Sequence, residues 1–219
     1  MPAGSDAEVF HVKHPHTPTP TAPLDVSRET QARLDAYAAL LTRWNARINL
    51  VAPRDLPQLW ERHIADSLQL APLIPPGVTR AIDLGSGGGF PGLVLAIATG
   101  LSFDLVESDQ RKAAFLREAA RITAAPARVH AARIESLTLD PAQLVTARAL
   151  APLPQLLDLA APLLAPGGMY LFLKGANAPS ELTAATAEWH MEAETIPSRT
   201  GGGGCILQIR DVVRVGIRS

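Results

Sequence analysis

The chain has 219 residues, of which 47% are hydrophobic and 19% are charged, and its formal net charge is −1. This length suits one ordinary domain with appendages, and the near-neutral charge excludes an overall nucleic-acid signature, so any basic surface must be local. The single cysteine, Cys205, excludes an internal disulfide framework. No apolar run is long enough to span a membrane and no secretory signal is evident, so we expect a cytoplasmic protein.

The amino-terminal third is predicted to hold a tail followed by a small helical cap. Residues 1–24 carry five prolines and few large apolar side chains, which is typical of a disordered segment. From Ser27, a suitable N-cap, apolar residues recur at helical spacing, and a second amphipathic helix follows Pro53 as far as about Leu70. The break PLIPPG ends this cap, which we assign to residues 25–76.

Predicted strands and helices alternate through residues 77–219. We predict strands at 80–84, 103–107, 127–131, 143–149 and 169–174, helices at 90–99, 109–123, 154–164 and 178–189, and closing strands at 190–196 and 205–213. This alternation predicts an α/β fold, a mostly parallel sheet with helices on both faces and a terminal antiparallel hairpin. Ligands of such sheets bind at the carboxyl ends of the strands, so the loops after residues 84, 107, 131 and 147 should form the site.

Residues 81–92 read AIDLGSGGGFPG, an apolar strand followed by five glycines within eight residues. One interpretation is a dinucleotide site. Gly87, Gly89 and Gly92 match G-x-G-x-x-G, and Glu107 lies about 20 residues beyond, where an acid that binds ribose belongs. Such a short pattern is weak evidence by itself, so a dinucleotide-dependent oxidoreductase is one alternative.

The aspartate before the glycines favours a different ligand. Asp83 stands two residues before Gly85, at the predicted end of the strand. A carboxylate there repels a diphosphate, whereas it attracts the sulfonium and ammonium groups of S-adenosylmethionine. We therefore predict an S-adenosylmethionine site in which Glu107 grips the ribose hydroxyls. The structural alternatives are a capping role for Asp83 and a plain strand end at Glu107.

Two motifs that the chain lacks reduce the number of possible methyl acceptors. Methylation of an exocyclic amine on a base commonly uses an Asn/Asp-Pro-Pro-aromatic motif after the fourth strand, but this chain reads ARALAPLPQ there. Methylation of pyrimidine carbon 5 needs a cysteine nucleophile. Cys205 lies in a predicted strand and is better explained as a buried core thiol. What remains is transfer to an atom that is already nucleophilic.

Six ordered motifs, INLVAPRD, RHIADSL, DLGSGGGFPG, SDQRKAAFLRE, TARAL and LKG, resemble those of the glucose-inhibited-division-protein-B family, bacterial methyltransferases that modify guanine N7 in small-subunit ribosomal RNA. The resemblance covers roughly residues 30–175. It implies a Rossmann-like class I methyltransferase with a seven-stranded sheet, S-adenosylmethionine as cofactor, and small-subunit RNA or the 30S particle as partner of a monomer. Val51 departs from the family, which usually has a hydroxyl residue there.

The predicted binding residues combine the glycine-loop pattern with this resemblance, which itself implies contacts at Gly85, Phe90, Ile134, Glu135 and Arg148. The full set for the cofactor is Asp83, Gly85, Gly87, Gly89, Phe90, Glu107, Ile134, Glu135 and Arg148. The set for RNA is Arg54, Arg62, His63, Arg111, Lys112 and Lys174. For His63 the alternative is a structural hydrogen bond to Asp66 or to a backbone group.

Neither a catalytic side chain nor a metal site is predicted. Guanine N7 carries a lone pair and no proton, so the rate enhancement should come from holding it in line with the sulfur–methyl bond. Two further alternatives stay open at this point. One is a methyltransferase that acts on a small molecule or a protein, and the other is a non-catalytic binding protein that retains the cradle.

Overall fold

One sheet of seven strands forms the centre of the protein, for which the computed structural model describes residues 26–200 and 203–216. The strands are β1 (Arg80–Leu84), β2 (Ser102–Val106), β3 (Ala127–His130), β4 (Ala142–Arg148), β5 (Leu164–Lys174), β6 (Trp189–Pro197) and β7 (Cys205–Arg214). Their spatial order is β3-β2-β1-β4-β5-β7-β6. β7 is antiparallel to β5 and β6, and the other neighbouring strands are parallel. The predicted α/β class, with its terminal hairpin, is confirmed.

Helices cover both faces of the sheet. They are α1 (Arg28–Asn45), α2 (Asp66–Leu68), α3 (Gly92–Thr99), α4 (Gln110–Ile122), α5 (Leu153–Ala160) and α6 (Ala178–Ala185). Two separate clusters of buried apolar residues result, one containing Phe115 of α4 and the other Leu156 of α5. Ala81 and Ile82 are consecutive in β1 but belong to different clusters, as the two-residue period of a strand requires.

Helix α1 begins where the sequence predicts. The Ser27 hydroxyl accepts a hydrogen bond from the Thr30 N–H at 3.1 Å, which satisfies one of the free donors at a helix start. Leu34 and Tyr37 of α1 are fully buried in the cluster that contains Phe115. The segment predicted as a helical cap therefore packs directly on α3 and α4 of the main fold.

The second predicted helix of the cap is not one continuous helix. The chain forms a 3₁₀ helix at Pro53–Gln58, a π-helical turn at Trp60–Ala65 and then α2. Pro57 contributes no N–H to an α-helical ladder, which explains the irregular start. Single π-helical turns occur often at functional sites, and this one carries His63.

Three boundaries also differ from the prediction by four or more residues. α5 ends at Ala160 instead of residue 164, and α6 ends at Ala185 instead of residue 189. β5 begins at Leu164 instead of residue 169, because Leu164 pairs with Ala142 of β4. Trp189 is buried as the first residue of β6, so this apolar side chain serves the sheet and not the helix. Among the described residues, the helices are too short or too polar to cross a membrane.

Candidate active site

Two cavities adjoin each other at the carboxyl ends of the strands, beside the β1–β4 pair where the strand order changes direction. The smaller cavity has a volume of about 440 Å³, and the larger has about 810 Å³. Residues 148–152, which end β4 and lead into α5, line both of them. We call these residues the shared loop.

Six of the nine predicted cofactor residues line the smaller cavity. They come from the loops after β1, β2, β3 and β4, and they are Gly85, Gly87, Glu107, Ile134, Glu135 and Arg148. The prediction that these four loops meet is thereby confirmed. The other three predicted residues, Asp83, Gly89 and Phe90, do not line this cavity. They belong to the strand and loop that carry the lining residues, and Phe90 contacts Arg148.

Two positions of the loop after β1 require glycine. Gly85 and Gly87 have φ angles of +67° and +54°, in the left-handed region that disfavours other residues. A Cβ on Gly85 would lie 2.7 Å from Cδ1 of Leu150, so the shared loop rests directly on the bare backbone. The result is an open cradle of main chain at the end of β1.

Glu107 joins two of the loops that form the smaller cavity. Its carboxylate accepts hydrogen bonds from the N–H of Gly87 at 2.9 Å and from the N–H of Asp109 at 2.8 Å. These contacts orient the carboxylate, and each oxygen still has a second lone pair to accept another hydrogen bond. The geometry is compatible with the predicted grip on a pair of ribose hydroxyls.

Asp83 lies near the end of β1, as predicted, but its side chain does not line the cavity. Its side chain is fully buried, and Oδ1 accepts a hydrogen bond from the Thr146 hydroxyl at 2.6 Å. Oδ2 is buried without a hydrogen-bond partner among the described residues. Asp83 lines neither cavity, so a direct contact with an ammonium group does not follow from this geometry. Its charge can act on a cation in the smaller cavity through the poorly polarisable interior.

A cluster around Arg148 separates the two cavities. Nη1 of Arg148 lies 2.7 Å from Nδ1 of His63 and 3.9 Å from Oδ2 of Asp66. The guanidinium group lies over the ring of Phe90 at 4.7 Å, and the His63 ring is stacked on the same ring at 5.0 Å. Phe90 is therefore a platform for Arg148 and His63, and Arg148 is the polar group that faces both cavities.

His63 accepts a hydrogen bond from Arg148 within the protein, and it is not a positively charged contact for RNA. Burial, and after it the positive charge of Arg148, lower the pKa of His63 to about 4. The neutral ring accepts the hydrogen bond of Arg148 at Nδ1, which leaves the proton on Nε2, 3.7 Å from Oδ2 of Asp55. The prediction of an RNA contact is corrected accordingly. The alternative partner, Asp66, contacts Arg148 instead.

The other RNA candidates divide by exposure. Arg54 is exposed, as are Arg62 and Arg111, whose side chains keep 53% and 73% of their accessible surface. Lys112 is half-buried and lines the smaller cavity, so it faces the predicted cofactor. Lys174 is 5% exposed and paired with Glu181, and it lines the larger cavity instead of standing on the open surface. The prediction of a surface contact is therefore corrected for Lys174, because packing encloses its ammonium group, whereas for Lys112 an RNA contact stays a prediction.

Sequence reasoning missed Leu150, Asp66 and Glu181. Leu150 lines both cavities, and Asp66 and Glu181 line the larger one. The loop after residue 147 was predicted to be part of the site, but nothing in the pattern singles out Leu150. Asp66 and Glu181 lie far along the chain from β4, and only the packing of α2 and α6 brings them to this place.

Opposite pH dependences of folding stability are predicted for Asp83 and His63. Burial raises the pKa of Asp83 to about 6, so its folded-state contribution to stability is lost as the pH rises through that value. The pKa of His63 is lowered from 6.5 to about 4, so its contribution is present above 6.5 and lost as the pH falls towards 4.

Urea unfolding at several pH values tests this pair. The stability of Asp83→Asn relative to wild type should rise between about pH 4 and 6, since the variant lacks the declining contribution. The stability of His63→Gln relative to wild type should fall between about pH 4 and 6.5. A flat difference for either variant would show that its residue titrates alike in the folded and unfolded chains.

Comparisons with known proteins identify the family of this chain. Residues 30–202 match the model of the GidB family, described as rRNA small subunit methyltransferase G. The protein named ribosomal RNA small subunit methyltransferase G from Gluconobacter oxydans is 61% identical over 87% of this chain and 98% of its own. The protein of that name from Paramagnetospirillum magneticum is 56% identical over 86% of this chain and 92% of its own.

Solved structures share the fold at low identity. The O-methyltransferase from Bacillus cereus, in complex with SAH, has a TM-score of 0.53 and 15% identity over 85% of this chain and 92% of its own. The O-methyltransferase TomG from Streptomyces achromogenes, in complex with SAM, has a TM-score of 0.53 and 14% identity over 84% of this chain and 90% of its own. From its matched residues and its close relatives, the chain belongs to the rRNA small subunit methyltransferase G family.

Proposed function

We propose that this protein transfers the methyl group of S-adenosylmethionine to N7 of one guanine in small-subunit ribosomal RNA. The observation that carries the proposal is the pair of adjoining cavities with Arg148 in their common wall. One cavity suits a nucleoside-containing donor, and the other is open to a base. Family membership supports ribosomal RNA as the acceptor.

The residues of the smaller cavity fit S-adenosylmethionine. The glycine cradle admits the amino-acid end of the donor, Glu107 can accept hydrogen bonds from its ribose, and Ile134 offers an apolar surface for its adenine. Two neighbours of the same fold were solved with SAH or SAM bound. When bound, the donor supplies an electrophilic methyl group next to Arg148.

The larger cavity is assigned to the target base. An enzyme that modifies a base must take it out of the helix and hold it in a pocket. Arg148, fixed by His63 and Phe90, can orient that base without removing a proton from it. Because N7 has no proton, no general base is needed. The protein contributes by positioning the base and by excluding water from the site.

Recognition of the RNA backbone is assigned to exposed arginines. Arg54, Arg62 and Arg111 provide local positive charge on a chain whose formal net charge is −1. Arg62 lines the larger cavity, so phosphate contacts there would guide the target base inward. We further propose that the protein acts as a monomer in the cytoplasm, on small-subunit RNA or on the assembled 30S particle.

Transfer of labelled methyl groups to small ribosomal subunits tests the proposal. We expect one labelled 7-methylguanosine in the small-subunit RNA, detected as a strand break after borohydride and aniline treatment. Cys205 lines the larger cavity, but burial raises the pKa of its thiol and transfer to N7 needs no nucleophile, so Cys205→Ser should keep nearly full activity. Label on an exocyclic amine, or a covalent adduct between Cys205 and RNA, would contradict the mechanism.

A further inference from the structure

A partly buried ion pair in the lining of the larger cavity is hydrogen-bonded to the shared loop. The ammonium group of Lys174, at the end of β5, is 2.7 Å from Oε2 of Glu181 in α6. The same group donates a hydrogen bond to the carbonyl of Ala151 at 2.6 Å. One cation therefore connects β5, α6 and the shared loop.

Glu181 extends this connection to the start of α5. Its Oε2 also accepts a hydrogen bond from the N–H of Leu153 at 2.8 Å. The pair thus holds the backbone on both sides of Pro152, through the carbonyl of Ala151 and the amide of Leu153. Hydrogen bonds on both sides of Pro152 fix the position and the orientation of this part of the loop.

The conformation of the shared loop requires such support. Ala149 has a φ of +49°, in the left-handed region that is unfavourable for a residue with a side chain. Leu150 contacts the glycine cradle, since a Cβ on Gly85 would meet its Cδ1 at 2.7 Å. A shift of the loop would therefore change the shapes of both cavities together.

A purely stabilising role does not account for the choice of residues. Burying an ion pair has a desolvation cost, and an apolar pair of similar volume is often as stable. What Lys174 and Glu181 provide, and an apolar pair cannot, is the two hydrogen bonds to the loop backbone. Reacting atoms misplaced by about 1 Å can lower a rate by about 100-fold.

We infer that Lys174 and Glu181 are positioning residues for methyl transfer, which hold the shared loop and thereby set the approach of the base to the donor. This inference rests on the proposed function. The pair acts through the backbone of Ala151 and Leu153, while its side chains also form part of the lining of the larger cavity and lie outside the smaller one. Its loss should affect turnover more than donor affinity.

The test compares Lys174→Met, Glu181→Gln and Glu181→Leu at a temperature where circular dichroism shows each protein fully folded. We expect kcat to fall by about 10- to 100-fold in Lys174→Met and Glu181→Leu, and the affinity for S-adenosylhomocysteine to change by less than about fivefold. Glu181→Gln keeps an acceptor for the Leu153 amide and should lose less. The double variant Lys174→Met/Glu181→Leu should be no slower than its slower single variant.

The matched control is Arg121→Met, which removes an exposed ion pair to Glu118 at 2.8 Å and should leave kcat unchanged. If fully folded Lys174→Met and Glu181→Leu keep kcat within twofold of wild type, the inference is wrong. If either of them fails to fold, Glu181→Gln is the deciding variant. A lowered kcat with nearly unchanged affinity for S-adenosylhomocysteine would then support the inference, and a kcat within twofold of wild type would contradict it. Failure of the wild-type protein to methylate small-subunit RNA would instead reject the proposed function.

Discussion

Replacement of Arg148 by methionine should lower kcat for ribosomal RNA methylation by about 100-fold or more, the usual cost of removing a preorganised polar contact at a reacting centre. Arg148 is the polar side chain that lines both cavities, with its guanidinium group held over Phe90 and against His63. Methionine keeps much of the apolar stem but removes the planar cation. Single-turnover assays with saturating donor measure the loss directly.

Two companion measurements separate this role from a general loss of structure. The pKa of His63, measured by NMR, should rise above about 4 in Arg148→Met, because the neighbouring positive charge is removed. Arg148→Lys should be little more active than Arg148→Met. The planar guanidinium group both stacks on Phe90 and contacts His63, and the compact ammonium group of lysine cannot do both. Activity within threefold of wild type in Arg148→Met would remove Arg148 from the mechanism.

Gly92→Ala should be among the most destabilising single-methyl changes in the chain. Gly92 begins α3, and a Cβ there would lie 2.7 Å from Cγ of Asp83 and closer still to its Cβ. Asp83 cannot move aside, because it is fully buried in β1 and bonded to Thr146. Overpacking of this kind costs about 1–3 kcal/mol and occasionally more. Urea unfolding should show the loss at unchanged m value.

The control is Gly175→Ala, since a Cβ at Gly175 would meet nothing within 4 Å and should leave stability nearly unchanged. Combining Gly92→Ala with Asp83→Gly removes the clashing side chain. The combined loss should then be smaller than the sum of the two single losses, as expected for residues in contact. Strict additivity, or a harmless Gly92→Ala, would show that α3 is free to move away from β1.

Much of the fold and the smaller cavity follows from local patterns. Short apolar runs alternate with segments in which apolar residues recur at helical spacing, and this alternation predicted the parallel sheet. The predicted carboxyl ends of the strands then indicated which loops would lie together. Gly85 and Gly87 were recognised from the spacing of the glycines after the strand, and their positive φ angles give the physical reason for glycine at these positions. Glu107 was identified by its place at the end of β2. Such inferences succeed because they depend on neighbours within a few positions of the chain.

The roles of several charged residues were decided only by tertiary packing. Lys174 has a sequence setting that suits an exposed RNA contact, yet α6 brings Glu181 against it and buries the pair. His63 is 85 residues from Arg148 in the chain, and only the position of the π-helical turn over β4 makes it a neutral acceptor. Asp83 was correctly placed at the strand end, but the close approach of Gly92 encloses it. The sequence alone determined which charges stand at the ends of strands and helices. Burial and partner depend on how distant elements pack, so the tertiary structure decided which of those charges face a ligand.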